Sequence, residues 1–322
     1  MARSWSLDDL VAGVRSGDRR ALARAITLVE SADSLAEDVI RELYGQTGHA
    51  YMVGVTGPPG VGKSSLVSSL VRHVRPGGQK IGVVTVDPSS PFTQGALLGD
   101  RIRLSDHFLD PDVFIRSMGT RGHLGGLAEA TLQAALILDA AGKDLVFLET
   151  VGTGQSEVEI VAIADTTLLV LMPGSGDSIQ ALKAGIMEIP DVIAVNKKDR
   201  AGATTMESEV RSILALDTER EWETPIVLTD ALTGEGVEEL WDAVGAHREH
   251  LEETGLLATR RASNLAGQVY ALASGRAKAH LERAVAGDEE LRRLLELVER
   301  RELDPLSAVR AIMQQVFRIG GS

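Results

Sequence analysis

Between about residues 51 and 250, short apolar runs rich in β-branched residues alternate with longer amphipathic segments. Several runs are apolar on consecutive residues, as at 168–171, which is typical of strands buried on both faces. We therefore predict an α/β fold, a mostly parallel central sheet flanked by helices, with ligand groups at the carboxyl ends of its strands. The predicted strands are 52–56, 80–87, 113–117, 145–149, 166–172, 192–196 and 226–229.

Both ends of the chain show helical spacing without strand signals. Ser6 and Asp18 are predicted caps of the first two helices, Gly17 separates them, and a third helix follows at 34–44. Three more helices are predicted at 264–286, 288–301 and 305–317. The last of these segments either pack against the body or join two copies of the chain. The predicted parts are an N-terminal helical extension, 1–47, a nucleotide-binding domain, 48–254, and a C-terminal helical dimerisation arm, 255–322.

Composition narrows the class of protein. The 322 residues are 44% hydrophobic but only 3% aromatic, so the core is aliphatic. A net charge of −13 argues against nucleic acid as a partner. The absence of cysteine excludes disulfides and thiolate metal sites. Without a signal peptide or an apolar run long enough for a bilayer, we expect a cytoplasmic protein with no membrane partner. His247 and His250 share a helix face and are expected to be a solvated pair without a metal.

The segment Gly57-Pro58-Pro59-Gly60-Val61-Gly62-Lys63-Ser64 is a complete G-x-x-x-x-G-K-[ST] phosphate-binding loop. It follows a predicted strand and precedes a predicted helix, the setting in which backbone N–H groups and a helix N-terminus surround phosphates. Lys63 is expected to reach the β- and γ-phosphates, and Ser64 to ligate Mg²⁺. Ser65 completes the predicted phosphate contacts. The motif indicates a P-loop nucleoside triphosphatase.

A second motif, Asn196-Lys197-Lys198-Asp199, ends another predicted strand. An Asp199 carboxylate would accept hydrogen bonds from the ring N–H and the amine of guanine, whereas adenine offers no such pair of donors. Asn196 would brace the phosphate loop, and the Lys197 stem would cover the base. After the next strand, a second base-contacting loop is expected. Its predicted contacts are Asp230, Ala231 and Leu232.

Acidic residues follow other strands. Glu149 stands at a strand end beside the phosphate loop and would hold Mg²⁺ directly or through water, while Gly152 would bring its N–H against the γ-phosphate. Asp87 ends a buried strand and is a predicted magnesium residue. Asp100 stands in a loop, where a solvated charge is the alternative. Two further candidates are Arg121, which would neutralise developing charge, and Gln155, which would position water.

Taken together, the strings G-P-P-G-V-G-K-S, V-D-P-S-S, R-G-H-L-G-G-L, E-T-V-G-T-G-Q-S-E, D-S-I-Q-A-L-K-A-G and N-K-K-D resemble the MeaB/MMAA-type (ArgK-like) GTPases over nearly the whole chain. The resemblance implies a Mg²⁺-dependent GTPase that cycles between GTP and GDP. It implies a chaperone of an adenosylcobalamin-dependent acyl-CoA mutase, usually methylmalonyl-CoA mutase, gating cofactor delivery and protecting the mutase. It also implies a homodimer joined through the C-terminal helices.

By position, the resemblance makes Ser64, Asp87, Asp100 and Glu149 the magnesium-associated set. It implies switches at 87–103, after Glu149 and at 174–183. The third switch contributes Asp177, Gln180 and Lys183. The chain departs from the usual pattern at Lys198 and Asp230, and the second departure leaves the role of the Asp230 side chain open.

Two other functions are alternatives to this one. A nickel-insertion GTPase predicts a metal site rich in cysteine and histidine, which a chain without cysteine does not favour. An ATPase component linked to amino-acid transport predicts ATP use and membrane association, which Asp199 and the composition both oppose.

Overall fold

Seven parallel strands form one sheet in the computed structural model. The structure describes residues 5–87, 104–119, 126–150, 162–174, 190–216 and 221–317. Each predicted strand is confirmed, with ends that differ by a residue or two. The strands are β1 Tyr51–Thr56, β2 Ile81–Asp87, β3 Val113–Gly119, β4 Leu145–Thr150, β5 Thr166–Leu171, β6 Val192–Asn196 and β7 Ile226–Thr229.

The sheet order is β3-β2-β4-β1-β5-β6-β7, so the first strand in the chain lies at the centre. From β1 the chain first builds one side of the sheet and then, through β5, the other. The strand order therefore reverses beside β1, which opens a crevice at its carboxyl end. The register places Glu149 of β4 between Val55 of β1 and Thr85 of β2.

The described helices are α1 Leu7–Arg15, α2 Arg19–Glu30, α3 Ser34–Leu43, α4 Lys63–Val74, α5 Gly126–Ala140, α6 Ala203–Leu214, α7 Val237–Glu253, α8 Leu256–Gly287, α9 Glu289–Glu299 and α10 Pro305–Phe317. Ser6 caps α1 by accepting the Asp9 N–H at 3.1 Å, and Asp18 caps α2. The predicted caps are thus confirmed. Helix α8 begins earlier than the predicted 264, because Gly255, with φ +71°, ends α7 and no glycine or proline interrupts 256–263.

Helices cover both faces of the sheet. On one face α1, α2, α3 and α5 bury apolar residues of β2, β3 and β4, among them Val84 and Leu148. On the other face α4 and α7 pack against residues such as Val83 and Phe147. Neighbouring residues of β2 therefore point into different cores, as the period of a strand requires. Helix α6 packs against buried residues of β5 and β6, such as Leu169 and Ile193.

The chain divides into two compact units, Met1–Gln268 and Val269–Ser322, with α8 running from the first into the second. In the second unit Asp288 caps α9, and the rings of His280 and Phe317 lie 5.8 Å apart. Its buried hydrophobic residues, within the described range 269–317, are Ala279, Leu291 and Ala308. Within the described range, this unit therefore buries little hydrophobic side chain.

Two arginines near the start of α8 bind acidic residues at the amino edge of the sheet. Arg261 donates to Asp165 through Nε and Nη2, both at 2.7 Å, and Arg260 donates to Asp191 at 2.9 and 2.7 Å. The hydrogen bond and the charge of Asp165 raise the pKa of Arg261. Burial by itself would raise the pKa of Asp191, but hydrogen bonds from His247 and Arg260 outweigh it, and the pKa lies below its usual range. These pairs fix the base of α8 to β5 and β6.

The prediction that His247 and His250 on α7 form a solvated pair is wrong for His247, which is buried and only 1% exposed. Its Nδ1 lies 2.8 Å from the Thr166 hydroxyl, its Nε2 lies 3.3 Å from Asp191, and the Trp222 ring lies 5.0 Å away. The histidine faces the sheet because its side of α7 packs on the start of β5. Within the described ranges, no group of three or more histidine, aspartate or glutamate residues could hold a metal ion, and no helix is long and apolar enough to cross a membrane.

Candidate active site

A cavity of about 430 Å³ opens at the carboxyl edge of the sheet. Its walls come from four separate stretches of sequence: the phosphate loop, the end of β4, the turn after β6 and the loop after β7. It is lined by Pro59, Gly60, Gly62, Lys63, Ser64, Ser65, Glu149, Thr150, Asn196, Lys197, Asp199, Arg200, Asp230, Ala231 and Leu232. The fold thus brings together the motifs that the sequence distributes over a long distance. Thr150 and Arg200 were not predicted, although each directly follows a predicted site residue.

The phosphate loop needs glycine for steric reasons. A Cβ on Gly57, where φ is +137°, would lie 2.1 Å from the carbonyl oxygen of Val170 on β5. A Cβ on Gly62, where φ is +100°, would lie 2.5 Å from the Asn196 amide nitrogen. With Gly62 as its cap residue, α4 begins at Lys63 and directs its positive N-terminal end into the cavity. This end of the helix suits a phosphate.

Lys63 is 6% exposed and lies along the phosphate loop. Its Nζ donates to the carbonyl oxygens of Gly57 at 2.6 Å and Pro58 at 3.0 Å. The ammonium group is therefore held where the loop curves around the cavity. A buried cation at this place would favour a bound anion because the surrounding protein screens charge poorly.

Ser64 and Glu149 meet at the floor of the cavity. The Ser64 hydroxyl donates to Glu149 Oε1 at 2.6 Å, and both residues are 5% exposed. A hydroxyl and a carboxylate are the oxygen ligands that Mg²⁺ prefers, so the donor set fits the predicted ion. The backbone of Asp87 lies at the same edge, one register position beyond the pair Val86 and Thr150.

Several predicted residues lie outside the described part of the chain. They are Asp100, Gly152, Arg121, Gln155, Asp177, Gln180 and Lys183. The three predicted switch segments lie mostly or wholly there too. Their roles stay predictions.

Asn196 is 1% exposed and links three parts of the site. Its Nδ2 donates to the carbonyl oxygen of Val61 in the phosphate loop at 2.8 Å. Its Oδ1 accepts the Ala231 N–H at 3.0 Å and the Thr229 hydroxyl at 3.3 Å. Asn196 therefore braces the phosphate loop, as its place in the motif predicts.

Lys197 and Asp199 follow Asn196 in the turn after β6, and both line the cavity. Lys197 adopts a left-handed backbone, with φ +60°, and its Nζ donates to the Gly60 carbonyl oxygen at 2.7 Å. Its side chain thus reaches from the turn after β6 to the phosphate loop. Asp199 is exposed and lines the cavity. Asp199 is therefore accessible to a ligand in the cavity.

The role of Asp230 is set by its own loop. Its carboxylate accepts the N–H groups of Leu232 at 2.8 Å and Thr233 at 3.3 Å. Its backbone N–H donates to the Glu235 carbonyl oxygen at 2.8 Å. The side chain therefore shapes the turn, a use of aspartate that is common in loops. The departure from the usual family residue is accommodated by this local bonding.

Comparisons with known proteins show what the chain as a whole is similar to. The sequence model of the family "Methylmalonyl Co-A mutase-associated GTPase MeaB" matches residues 22–286. The chain is 47% identical over 316 residues to a protein of Pyrococcus horikoshii named "Putative GTPase", covering 96% of this chain and 98% of the other. It is 34% identical over 274 residues to the "Methylmalonic aciduria type A homolog, mitochondrial" of Mus musculus, covering 79% and 66%. A crystal structure of a LAO/AO transport system kinase superposes with a TM-score of 0.75 at 26% identity, covering 98% and 99%.

Proposed function

The chain belongs to the MeaB family of methylmalonyl-CoA mutase-associated GTPases, and on this premise we propose that it is a Mg²⁺-dependent switch serving an adenosylcobalamin-dependent acyl-CoA mutase. One observation carries the nucleotide part of the proposal. A single cavity is lined by the phosphate loop, by the hydrogen-bonded pair Ser64 and Glu149, and by Asp199. A guanine nucleotide with its metal ion presents the three groups that these residues would bind: phosphates, Mg²⁺ and a base.

Hydrolysis of GTP at this site depends mainly on fixed positive charge. The N-terminus of α4 and Lys63 would face the phosphate oxygens, where negative charge develops in the transition state. Ser64 and Glu149 would hold Mg²⁺, which adds positive charge beside the same oxygens. The loop and the sheet hold these groups around the cavity before the substrate binds.

Asp199 would select guanine by accepting two hydrogen bonds from the base. We expect Asp199→Asn to lower the preference for GTP over xanthosine triphosphate by about 10- to 100-fold, because a hydrogen bond to a charged group contributes about 1.5–3 kcal/mol. An asparagine cannot accept from both guanine donors, whereas it pairs with the extra carbonyl of xanthine. The measurement is kcat/KM for GTP, xanthosine triphosphate and ATP.

Asp230→Asn is the matched comparison for that prediction, since Asp230 also lines the cavity. An asparagine oxygen can still accept the N–H groups of Leu232 and Thr233, so the ratio of GTP to xanthosine triphosphate should stay at the wild-type value. An unchanged ratio in Asp199→Asn would contradict the guanine assignment. Strong ATP hydrolysis by the wild-type chain would instead favour the transport ATPase.

The mutase part of the proposal is supported by the family description and by the name of the mouse relative, which refers to methylmalonic aciduria. In this proposal GTP binding and hydrolysis gate delivery of the cobalamin cofactor and protect the mutase, with 174–183 signalling to it. The alternative of nickel insertion finds no support in the described residues, which contain no group of three or more histidine, aspartate or glutamate side chains that could hold a metal ion.

We also propose that the C-terminal helices, 255–322, join two copies of the chain. The second compact unit buries few hydrophobic residues, while Val269, Tyr270 and Leu306 are 64%, 74% and 79% exposed. Exposed apolar residues on a small helical unit are typical of an interface. The extension 1–47, the nucleotide-binding domain 48–254 and a cytoplasmic location belong to the same proposal.

The partner is tested by a pull-down with the tagged chain, loaded either with a non-hydrolysable GTP analogue or with GDP. We expect a cobalamin-dependent acyl-CoA mutase to be recovered, in amounts that depend on the nucleotide. The purified mutase should then bind the chain directly and change its rate of GTP hydrolysis. Recovery of a membrane transporter, or no direct binding to the purified mutase, would overturn the choice of partner.

A further inference from the structure

Ser69 lies in the second turn of α4, outside every motif recognised in the sequence. It is 5% exposed, and its hydroxyl donates to the carbonyl oxygen of Ala231 at 2.6 Å. Ala231 belongs to the loop that is predicted to contact guanine. We propose that Ser69 is a positioning residue for guanine recognition, which controls how fast the nucleotide is released. This inference rests on the proposed binding of a guanine nucleotide in the cavity.

Both backbone polar groups of Ala231 form hydrogen bonds. Asn196 accepts its N–H at 3.0 Å, and Ser69 donates to its carbonyl oxygen. The residue is 6% exposed and packs in the same core as α4 and α7. With both polar groups of the residue engaged, the path of the loop past the cavity is fixed. Loss of either hydrogen bond would let the loop move away from α4 or from Asn196.

The two bonds also connect the base end of the cavity to the phosphate end. Asn196 binds the phosphate loop through Val61, whereas Ser69 stands on the helix that begins with Lys63 and Ser64. A movement of α4 relative to the sheet would therefore move the guanine loop through Ser69. Release of the phosphates and release of the base are coupled by this serine.

The neighbouring serine on α4 provides a matched control. Ser68 is 4% exposed, but its hydroxyl lies 3.2 Å from Nε2 of His107, and it does not line the cavity. Both serines have the same size, helix and burial, so alanine at either one should lower the stability of the chain to a similar extent. Only Ser69 reaches the guanine loop.

The test uses the full chain loaded with a fluorescent GDP derivative, which is displaced by excess unlabelled GDP. Ser69→Ala should release the nucleotide about tenfold faster than the wild type, since a buried carbonyl oxygen loses its hydrogen bond. Its KM for GTP should rise by a similar factor while kcat stays near the wild-type value, because the groups around the γ-phosphate are untouched. Ser68→Ala should release at the wild-type rate.

Ser69→Thr keeps the hydroxyl and should restore slow release, which also covers the case in which the alanine variant does not fold. Equal release rates for Ser69→Ala and the wild type would overturn the inference, as would equal acceleration in Ser68→Ala. If the wild-type chain does not retain the GDP derivative at all, the proposed function fails, and this outcome differs from both of the others.

Discussion

Replacing Lys63 with alanine should abolish measurable GTP hydrolysis. The Lys63 ammonium is buried and held by the carbonyl oxygens of Gly57 and Pro58, at the point where the loop surrounds the predicted phosphate site. Loss of one fixed donor to a developing negative charge lowers kcat by about 10²–10³, and a full positive charge contributes at least as much. We therefore expect less than about one thousandth of the wild-type rate of phosphate release. The affinity for GTP should fall more than the affinity for GDP.

Alanine favours a helix at this position, the first residue of α4, so the variant should fold. Its far-ultraviolet circular dichroism should match that of the wild type. Lys80→Ala is the control for loss of a lysine, since Lys80 is exposed and precedes β2 at the opposite edge of the sheet. It should hydrolyse GTP normally. Wild-type hydrolysis by Lys63→Ala would show that the site has been assigned wrongly.

Arg261→Ala should produce a large loss of stability, although Arg261 lies outside the cavity. It leaves the Asp165 carboxylate, whose side chain is 3% exposed, without the guanidinium that neutralises it. Removing one partner of a buried ion pair costs about 3–5 kcal/mol. The arginine also donates to the Gly48 and Ala50 carbonyl oxygens, which lose those bonds. The expected result is a clear decrease in the urea midpoint for unfolding of the full chain.

Arg211→Ala tests whether burial is the cause. Arg211 pairs with Glu207 one helical turn away, at 2.9 Å, but its side chain is 61% exposed. An exposed pair on a helix contributes about 0.3–0.5 kcal/mol, so the midpoint should hardly change. Equal effects of the two substitutions would contradict the role of the buried pair at the base of α8.

The sheet was predictable because its strands are buried on both faces. Consecutive apolar residues such as those of β5 cannot form an amphipathic helix of the same length, and proline or glycine separates several runs from their neighbours. Side-chain caps such as Ser6 and Asp18 act through bonds to residues two or three positions away, so the sequence also shows them. The start of α8 was less visible, and the helix begins at Leu256 rather than at the predicted 264.

The site was predictable where a motif joins residue type to spacing, as at Lys63, Ser64 and Asn196. It was not predictable where a contact depends on how distant elements pack. Ser69 meets Ala231 only because α4 crosses the sheet beside the loop after β7, and the two residues lie far apart in the chain. The burial of His247 was not predictable for the same reason, since it depends on how α7 packs against β5. The hydrogen bonds of the Asp230 carboxylate are to residues close in sequence. The same residues can adopt several turn geometries, so the sequence does not specify which of these bonds form.

The central position of β1 has a consequence for how the chain folds during synthesis. Helices α1 to α3 are synthesised before the strands and can pair with one another, yet the apolar face that they cover is built from β2, β3, α5 and β4. About 100 residues of sequence separate the end of α3 from the end of β4. At a synthesis rate of about 5–20 residues per second, this delays the docking of the three helices by roughly 5–20 s. Over that interval their amphipathic surfaces stay open to other chains. These helices thus wait for about 100 residues of later sequence before they reach their native contacts, and their aggregation during expression should depend on the rate of translation between residues 47 and 150.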